Sequence, residues 1–263
     1  MEVMKKITVR DIQALKGCQP ITALTAYDTI MARLASDSGI DLLLVGDSVG
    51  TTYLGFDTTL SVTLDMMVHH TACVARARPH SLLVSDVPFF QGHLRSDRLL
   101  ESCARLIQEG GAEAVKLEGG EAVAPNVQKL VEAGVPVVGH VGLLPQQVRV
   151  LGGYRTFGCT EEERCTLRKD AEALEASGAF AIVGEMIEAE VAGELARSLR
   201  IPFIGIGCGP HCDGQILVTP DLLGLTLGTT PSFVKRFADL KATVHRSFMA
   251  YAEAVRKRTY PLS

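Results

Sequence analysis

Eight short apolar runs, each leading through a turn into a helical pattern, limit what this chain can fold into more than any other feature. Seven are plain: ITALTAYD from Ile21, LLLVGDSVG from Leu42, SLLVSDVPF from Ser81, AEAVKLEGG from Ala112, VPVVGHVGL from Val135, AFAIVGEM from Ala179 and IPFIGIGCG from Ile201. The eighth is placed near Ile216 to Leu225. Such runs suit strands covered on both faces, as in a parallel sheet wrapped by helices. The helices between them have recognisable ends. Thr29 to Gly39 closes on glycine, Thr63 caps LDMMVHHTACVARAR, and Ser96 caps DRLLESCARLIQE. A further helix starts near Pro125 and runs to Gly134, and Thr160 with Glu163 has capping-box spacing for the helix to about Gly178. EAEVAGELARSLR follows the sixth run.

About eight alternations, with no linker or break in composition, predict an α/β fold in which residues 1–263 form a single (β/α)8 TIM-type barrel domain. A polar lead-in of about residues 1–20 precedes it. C-terminal helices of about residues 230–258 follow, opened by Thr230 and Pro231 as N-cap and first helical residue. A chain of 263 residues is also the size of one such barrel. The alternative is a doubly wound sheet, which needs a glycine-rich phosphate turn after its first strand. TAYDTIM is not one, and GIGCG at Gly205 to Gly209 comes too late, so its glycines are read as close packing.

Charge narrows the partners. A net charge of -4 argues against nucleic acid or an anionic membrane surface and leaves a small molecule as the default ligand. The N-terminus MEVMKKITVR lacks an apolar signal core, and no stretch approaches the roughly 18 apolar residues of a membrane span, so a cytoplasmic protein is expected. Seven scattered cysteines, an odd number, suit reduced thiols. CGPHC from Cys208 to Cys212 invites a zinc reading but has no second ligand pair at suitable spacing.

Several runs end in polar residues: Asp47 with Ser48, Asp86, Lys116 with Glu118, His140 and Glu185. A single acid at a strand end is commonly a solvated turn residue. Together, in a barrel whose strand C-termini share one face, these residues would line one mouth. Period-two geometry sends Lys116 and Glu118 to one side of their strand and Val115 and Leu117 to the other. Gathered carboxylates repel one another unless a cation or protons compensate, and all-oxygen donors select a magnesium-like ion. Such an ion polarises a carbonyl and holds an enolate, with Lys116 adding positive charge. Glu185, behind the apolar AIVG, is the candidate base, and proton abstraction beside a carbonyl is the reaction class indicated. Two long loops, Gly50 to Val62 and Pro145 to Cys159, are placed over the strand ends as lids.

ITALTAYD, LLLVGDSVG, TTLSVTLDMMVHHTACVARA, VSDVPF, VKLEGG, VPVVGHVGLLPQ, GGYRTFG, IPFIGIGCG and DGQILV, in this order, resemble the ketopantoate hydroxymethyltransferase family over nearly the whole chain. The resemblance implies a Mg2+-dependent barrel of the phosphoenolpyruvate/pyruvate enolate-enzyme kind, assembled as a homodecamer. It implies transfer of a hydroxymethyl group from the co-substrate 5,10-methylenetetrahydrofolate to 3-methyl-2-oxobutanoate through a Mg-stabilised enolate. The product is 2-dehydropantoate, for pantothenate and coenzyme A synthesis. By motif, Asp47 and Asp86 are metal ligands and substrate contacts, Ser48, Lys116 and His140 contact substrate, Glu118 serves the metal directly or through water, and Glu185 is the proton acceptor. Mg2+ is the expected ion, another divalent ion its substitute.

The chain departs from the family pattern at Phe56, where a histidine is usual, and at Ser61, where proline is common. It also departs across Thr156 to Cys159 and Cys208 to Cys212. Another enolate enzyme of the phosphoenolpyruvate and isocitrate lyase type is the nearest alternative, but the lyases' lysine-cysteine-glycine-histidine loop is absent from the sequence. A non-catalytic keto-acid-binding barrel is the alternative of another class, and it has no need of Glu185. His69, His70 and His211 are read as surface or structural residues, and AVRKRTYPLS as a solvated basic face or a subunit contact.

Overall fold

The computed structural model describes residues 5–261. Strands β1 (Ile21–Thr25), β2 (Leu42–Val45), β3 (Leu82–Asp86), β4 (Ala114–Glu118), β5 (Val137–Gly142), β6 (Ala181–Glu185), β7 (Phe203–Ile206) and β8 (Gly214–Leu217) form a closed barrel in sequence order. The strand pairs recorded from β1 to β8 are all parallel. The helices are α1 (Val9–Leu15), α2 (Thr29–Asp37), α3 (Val49–Thr52), α4 (Leu64–Ala75), α5 (Ser96–Gln108), α6 (Ala124–Glu132), α7 (Val148–Leu151), α8 (Glu161–Ala176), α9 (Ala189–Ser198), α10 (Thr219–Leu222) and α11 (Leu240–Arg256). The chain divides into two compact units, residues 1–216 and 217–263.

Strand alternation builds the first unit's core. Leu42 and Leu44, Leu82 and Val84, Ala114, Val138, and Ala181 and Val183 belong to one buried cluster, the barrel interior. Their neighbours Leu43, Val45, Leu83, Val115, Leu117 and Ile182 belong to a second cluster with Met67, Leu99, Leu106, Leu130 and Leu174 of the surrounding helices. Burying each such aliphatic side chain contributes about 1.5–3 kcal/mol relative to exposure. The same alternation continues upward. Two residues beyond Val84 comes Asp86, beyond Ala114 come Lys116 and Glu118, beyond Val138 comes His140, and beyond Val183 comes Glu185. Chemistry is thus stacked on the interior face above the apolar layers.

Several expected element ends shift. β1 stops at Thr25 because Asp28 caps α2, accepting from Met31 N at 2.9 Å. Ser96 is the first residue of α5 rather than its cap, and its hydroxyl donates to Asn126 Oδ1 at 2.9 Å. Thr160 does cap α8, while Glu163 turns to the N–H groups of Gly158 and Cys159, so only half of the capping box forms. The eighth strand begins at Gly214, ahead of its expected position. Both long loops carry a short helix, α3 in one and α7 in the other. The lead-in contains α1, opened by a Thr8–Asp11 capping box. Ile12 lies fully buried in the interior cluster with Phe180, just ahead of β6, so α1 covers the strands' N-terminal end.

In the second unit, Thr230 and Pro231 do not open a helix: the Thr230 hydroxyl is occupied by Arg236, at 2.7 Å. Asp239 caps α11 instead, accepting from Ala242 N. Among the described residues, no helix is long and apolar enough to cross a membrane.

Candidate active site

Register brings the polar strand ends into contact. Asp86 lies opposite Lys116, Glu118 opposite His140, and Gly142 opposite Glu185. Residues paired across parallel strands point the same way, so Asp86, Lys116, Glu118 and His140 meet inside the barrel mouth, each buried. Lys116 Nζ is 2.7 Å from Asp86 Oδ1 and 3.2 Å from His140 Nδ1. His140 Nδ1 is 3.6 Å from Glu118 Oε1, and its Nε2 is 3.3 Å from Glu185 Oε2. An ammonium only donates, so in the neutral imidazole Nδ1 accepts from Lys116 and Nε2 carries the proton facing Glu185. Lys116, His140 and Glu185 therefore form one chain of polar contacts from the barrel interior to its rim.

Asp47 lies two residues beyond β2, and its backbone N–H donates to Asp86 Oδ2 at 3.0 Å. Gly46 makes this approach feasible. A Cβ there would come within 2.7 Å of Ser48 Oγ and 3.4 Å of Asp86 Oδ2. Ser48 Oγ is 2.8 Å from the buried Tyr27 hydroxyl.

Burial is the first influence on Asp47, Asp86, Lys116, Glu118 and His140. It raises Asp47 well above the usual carboxylate range, and the Asp86 and Glu118 charges raise it further. Burial also raises Asp86, against the pull of Lys116. Burial would push Lys116 down, but Asp86, Glu118 and Asp47 outweigh it and hold the ammonium above its ordinary value. For Glu118, burial is overcome by His140 and Lys116, and the carboxyl sits below its usual range. Burial and Lys116 push His140 down, while Glu118 and Glu185 raise it above its ordinary value. Three buried acids thus face one obligate cation, a local excess of negative charge.

That donor set suits a hard divalent cation. Asp86 Oδ1 is buried, and its approach from Lys116 is not aligned as a hydrogen bond; His140 Nε2 is also buried without an aligned partner. Among the described residues, no three His, Cys, Asp or Glu side chains form a ready metal cage. Two carboxylates with waters and ligand oxygens completing the shell is the arrangement open to a cation here.

Sequence reasoning missed residues that hold this geometry. Tyr27, which orients Ser48, stands at the exit of β1 and could have been found by applying the strand-end criterion to that run. Gln146, beyond β5, touches Asp47 and Glu118, yet nothing in PQQ separates it from its neighbour Gln147. Cys208 Sγ lies 3.0 Å from Gly184 O and accepts from Ile187 N at 3.3 Å, bracketing the turn that carries Glu185. Within that turn Met186 has φ +50°, a conformation that non-glycine residues adopt only when their surroundings impose it. Its N–H donates to Ile206 O at 2.9 Å, and its carbonyl accepts from Phe157 N at 2.7 Å.

The departures from the family pattern take up structural positions. Phe56 packs against the outer core beside Gly50. Phe157 packs on the same core and carries Arg155 over its ring at 4.0 Å. A cleft of about 400 Å³ opens beside the mouth, lined by Gly119, Val141, Gly142, Phe157, Glu163 and Asp170 among others. None of the seven expected site residues lines it.

A family model described as ketopantoate hydroxymethyltransferase matches residues 6–263. A 3-methyl-2-oxobutanoate hydroxymethyltransferase of Geobacter metallireducens is 46% identical over 260 residues, covering 98% of this chain and 97% of that protein. Among solved structures, phosphonopyruvate hydrolase in complex with oxalate and Mg++ has a TM-score of 0.63 at 12% identity, covering 95% of this chain and 88% of its own. A 2,3-dimethylmalate lyase of the PEP mutase/isocitrate lyase superfamily has a TM-score of 0.59 at 14% identity, covering 98% of this chain and 87% of its own. These two likenesses concern the fold.

Proposed function

The chain belongs to the ketopantoate hydroxymethyltransferase family, and from that premise we propose how its barrel mouth transfers a hydroxymethyl group to 3-methyl-2-oxobutanoate. The donor is 5,10-methylenetetrahydrofolate, and the product is 2-dehydropantoate for pantothenate and coenzyme A synthesis. The observation that carries the mechanism is the contact chain from buried Asp86 and Lys116 through His140 to Glu185. It supports reading Glu185 as a carboxylate base at the rim, with the Lys116 ammonium as positive charge for an anionic keto acid.

Asp47 and Asp86 would hold a divalent cation directly, with Glu118 acting directly or through water. Mg2+ bound there would supply Lewis-acid charge for negative charge developing on the keto oxygen. The complex of phosphonopyruvate hydrolase with oxalate and Mg++, on the same fold, supports this choice of ion. Lys116 directs its ammonium at the same oxygens, and Ser48, held by Tyr27, contacts the substrate carboxylate. Glu185 takes the proton from C3, whose electrons delocalise toward the keto oxygen. C3 then bonds to the folate methylene carbon as one of that carbon's two bonds to folate nitrogen breaks, and the freed nitrogen takes up a proton. Water adds its hydroxyl to the same carbon as the second C–N bond breaks, the remaining water proton goes to that nitrogen, and tetrahydrofolate departs. The cleft beside the mouth has the volume of a small-molecule site and is the place we assign to the donor.

We place the enzyme in the cytoplasm, where its seven free thiols stay reduced, and as a homodecamer. Exposed Phe248, Met249 and Tyr251 of α11 support a subunit contact there. The mechanism is tested by following loss of the C3 proton of 3-methyl-2-oxobutanoate in D2O with Mg2+ and no folate. Glu185→Gln should slow exchange by roughly 10²–10⁴-fold while keeping keto-acid binding. Exchange at the parent rate would remove Glu185 from its role.

A further inference from the structure

The proposed cation-binding acids stand on three successive strand exits: Asp47 beyond β2, Asp86 at the end of β3 and Glu118 at the end of β4. The Asp47 N–H already ties the first exit to the second through Asp86 Oδ2, but the Asp47 and Glu118 carboxylates have no such tie to each other. Gln146 supplies one from a fourth place, the single 3-10 turn Pro145–Gln147 after β5. Its backbone N–H donates to Glu118 Oε2 at 3.0 Å. Its Nε2 donates to Asp47 Oδ2 at 2.9 Å and to Val87 O, next to Asp86, at 3.0 Å. Both amide hydrogens are thereby committed.

The residue type follows from the local charge. A lysine here would add a cation beside the place where a metal is to bind, and a glutamate would add a fourth acid to a crowded group. A carboxamide supplies two donors at no net charge. Fixing one oxygen of a carboxylate leaves the other with a single direction in which to meet a ligand. That is how partners outside the coordination shell tune metal affinity.

We propose that Gln146 is a positioning residue for the cation site, its side chain aiming Asp47 and securing the β3 exit while its backbone N–H aims Glu118. The proposal rests on the reading of Asp47, Asp86 and Glu118 as the acids that serve the metal. The two halves of the arrangement are separable, because substitution of the side chain leaves the backbone bond to Glu118 available.

The test is Mg2+ binding to the substrate-free protein by isothermal titration calorimetry, for the parent, Gln146→Ala, Gln146→Met and Asp47→Asn, with thermal melts and steady-state kinetics beside it. Gln146→Met keeps bulk while removing both donors, so it answers for the case in which the alanine variant fails to fold. Either glutamine variant should weaken Mg2+ binding by about 10–100-fold. Raising Mg2+ should recover most of kcat, a response that general loosening of the fold would not give. Mg2+ affinity within twofold of the parent in a folded Gln146→Met protein overturns the proposal. If Asp47→Asn also leaves Mg2+ binding unchanged, the cation-site reading itself fails; if Asp47→Asn loses binding and Gln146→Met does not, the fault lies with Gln146 alone.

Discussion

Replacing Lys116 by methionine should expose the electrostatic cost of this site most directly. The Lys116 and Asp86 side chains are only 5% and 4% exposed, and their charged atoms are 2.7 Å apart. Methionine matches the length of the stem, so the substitution removes charge more than packing. Breaking a buried pair by removing one partner costs about 3–5 kcal/mol, because the other charge stays desolvated. For a chain of this size that corresponds to a fall in melting temperature of roughly 6–20 °C.

The direction with pH follows from Asp86. Its folded-state pKa is raised by burial, and Lys116 is the first influence that holds it down. Without Lys116 it rises further. A carboxylate with a raised folded pKa costs nothing below its unfolded value, about 3.9 for Asp, and subtracts stability as pH climbs through the raised range. The deficit of Lys116→Met should therefore be full at neutral pH and shrink as pH falls toward 4. Mg2+ should stabilise the variant more than the parent, since it meets a larger uncompensated negative charge. The assay is a set of melts from pH 4 to 8 with and without Mg2+. A deficit that is the same at every pH, or no gain from the metal, would refute the electrostatic account.

Two further substitutions probe the residues behind the reacting groups. Tyr27→Phe removes the hydroxyl that holds Ser48 at 2.8 Å, and should raise KM for the keto acid by roughly 2- to 10-fold with little change in kcat. Equal kinetics would mean that Ser48 is oriented without Tyr27. Cys208→Ala removes the sulfur that brackets Gly184 and Ile187, and should lower kcat and C3 proton exchange by about tenfold through displacement of Glu185, leaving keto-acid KM near the parent value. An unaltered exchange rate would show that the Met186 turn holds its shape without the thiol.

The strand ends were legible because one regularity governs both core and site. Alternation that buries Leu82 and Val84 must also bring Asp86 inward, and the same holds from Ala114 to Lys116 and Glu118. What the pattern could not supply is contact between segments. Gln146 and Gln147 are indistinguishable in sequence, and only the fold sends one of them 99 residues back to Asp47. The element ends that shifted did so through side-chain competition. Asp28 and Asp239 outcompeted longer strand or earlier helix readings by capping, and the Ser96 hydroxyl went to Asn126. The lead-in is polar in sequence, yet α1 turns Ile12 into the interior cluster, because a helix of seven residues needs few apolar positions to cover the barrel's end.

The same register explains why the mouth carries an excess of buried acid. Parallel pairing sets Asp86 beside Lys116 and Glu118 beside His140, so two acids receive a basic neighbour from the adjacent strand. Asp47 lies beyond the last ladder pair of β2 with β3 and receives none; its side-chain partner is the neutral amide of Gln146. Asp47 is accordingly the acid driven well above its usual range, and the carboxylate with most to gain from a cation. Under the proposed cation-site reading, affinity for the metal and instability without it have one physical source. Asp47→Asn should raise the melting temperature of the metal-free protein while abolishing its response to Mg2+, and a melt that falls instead would place the strain elsewhere.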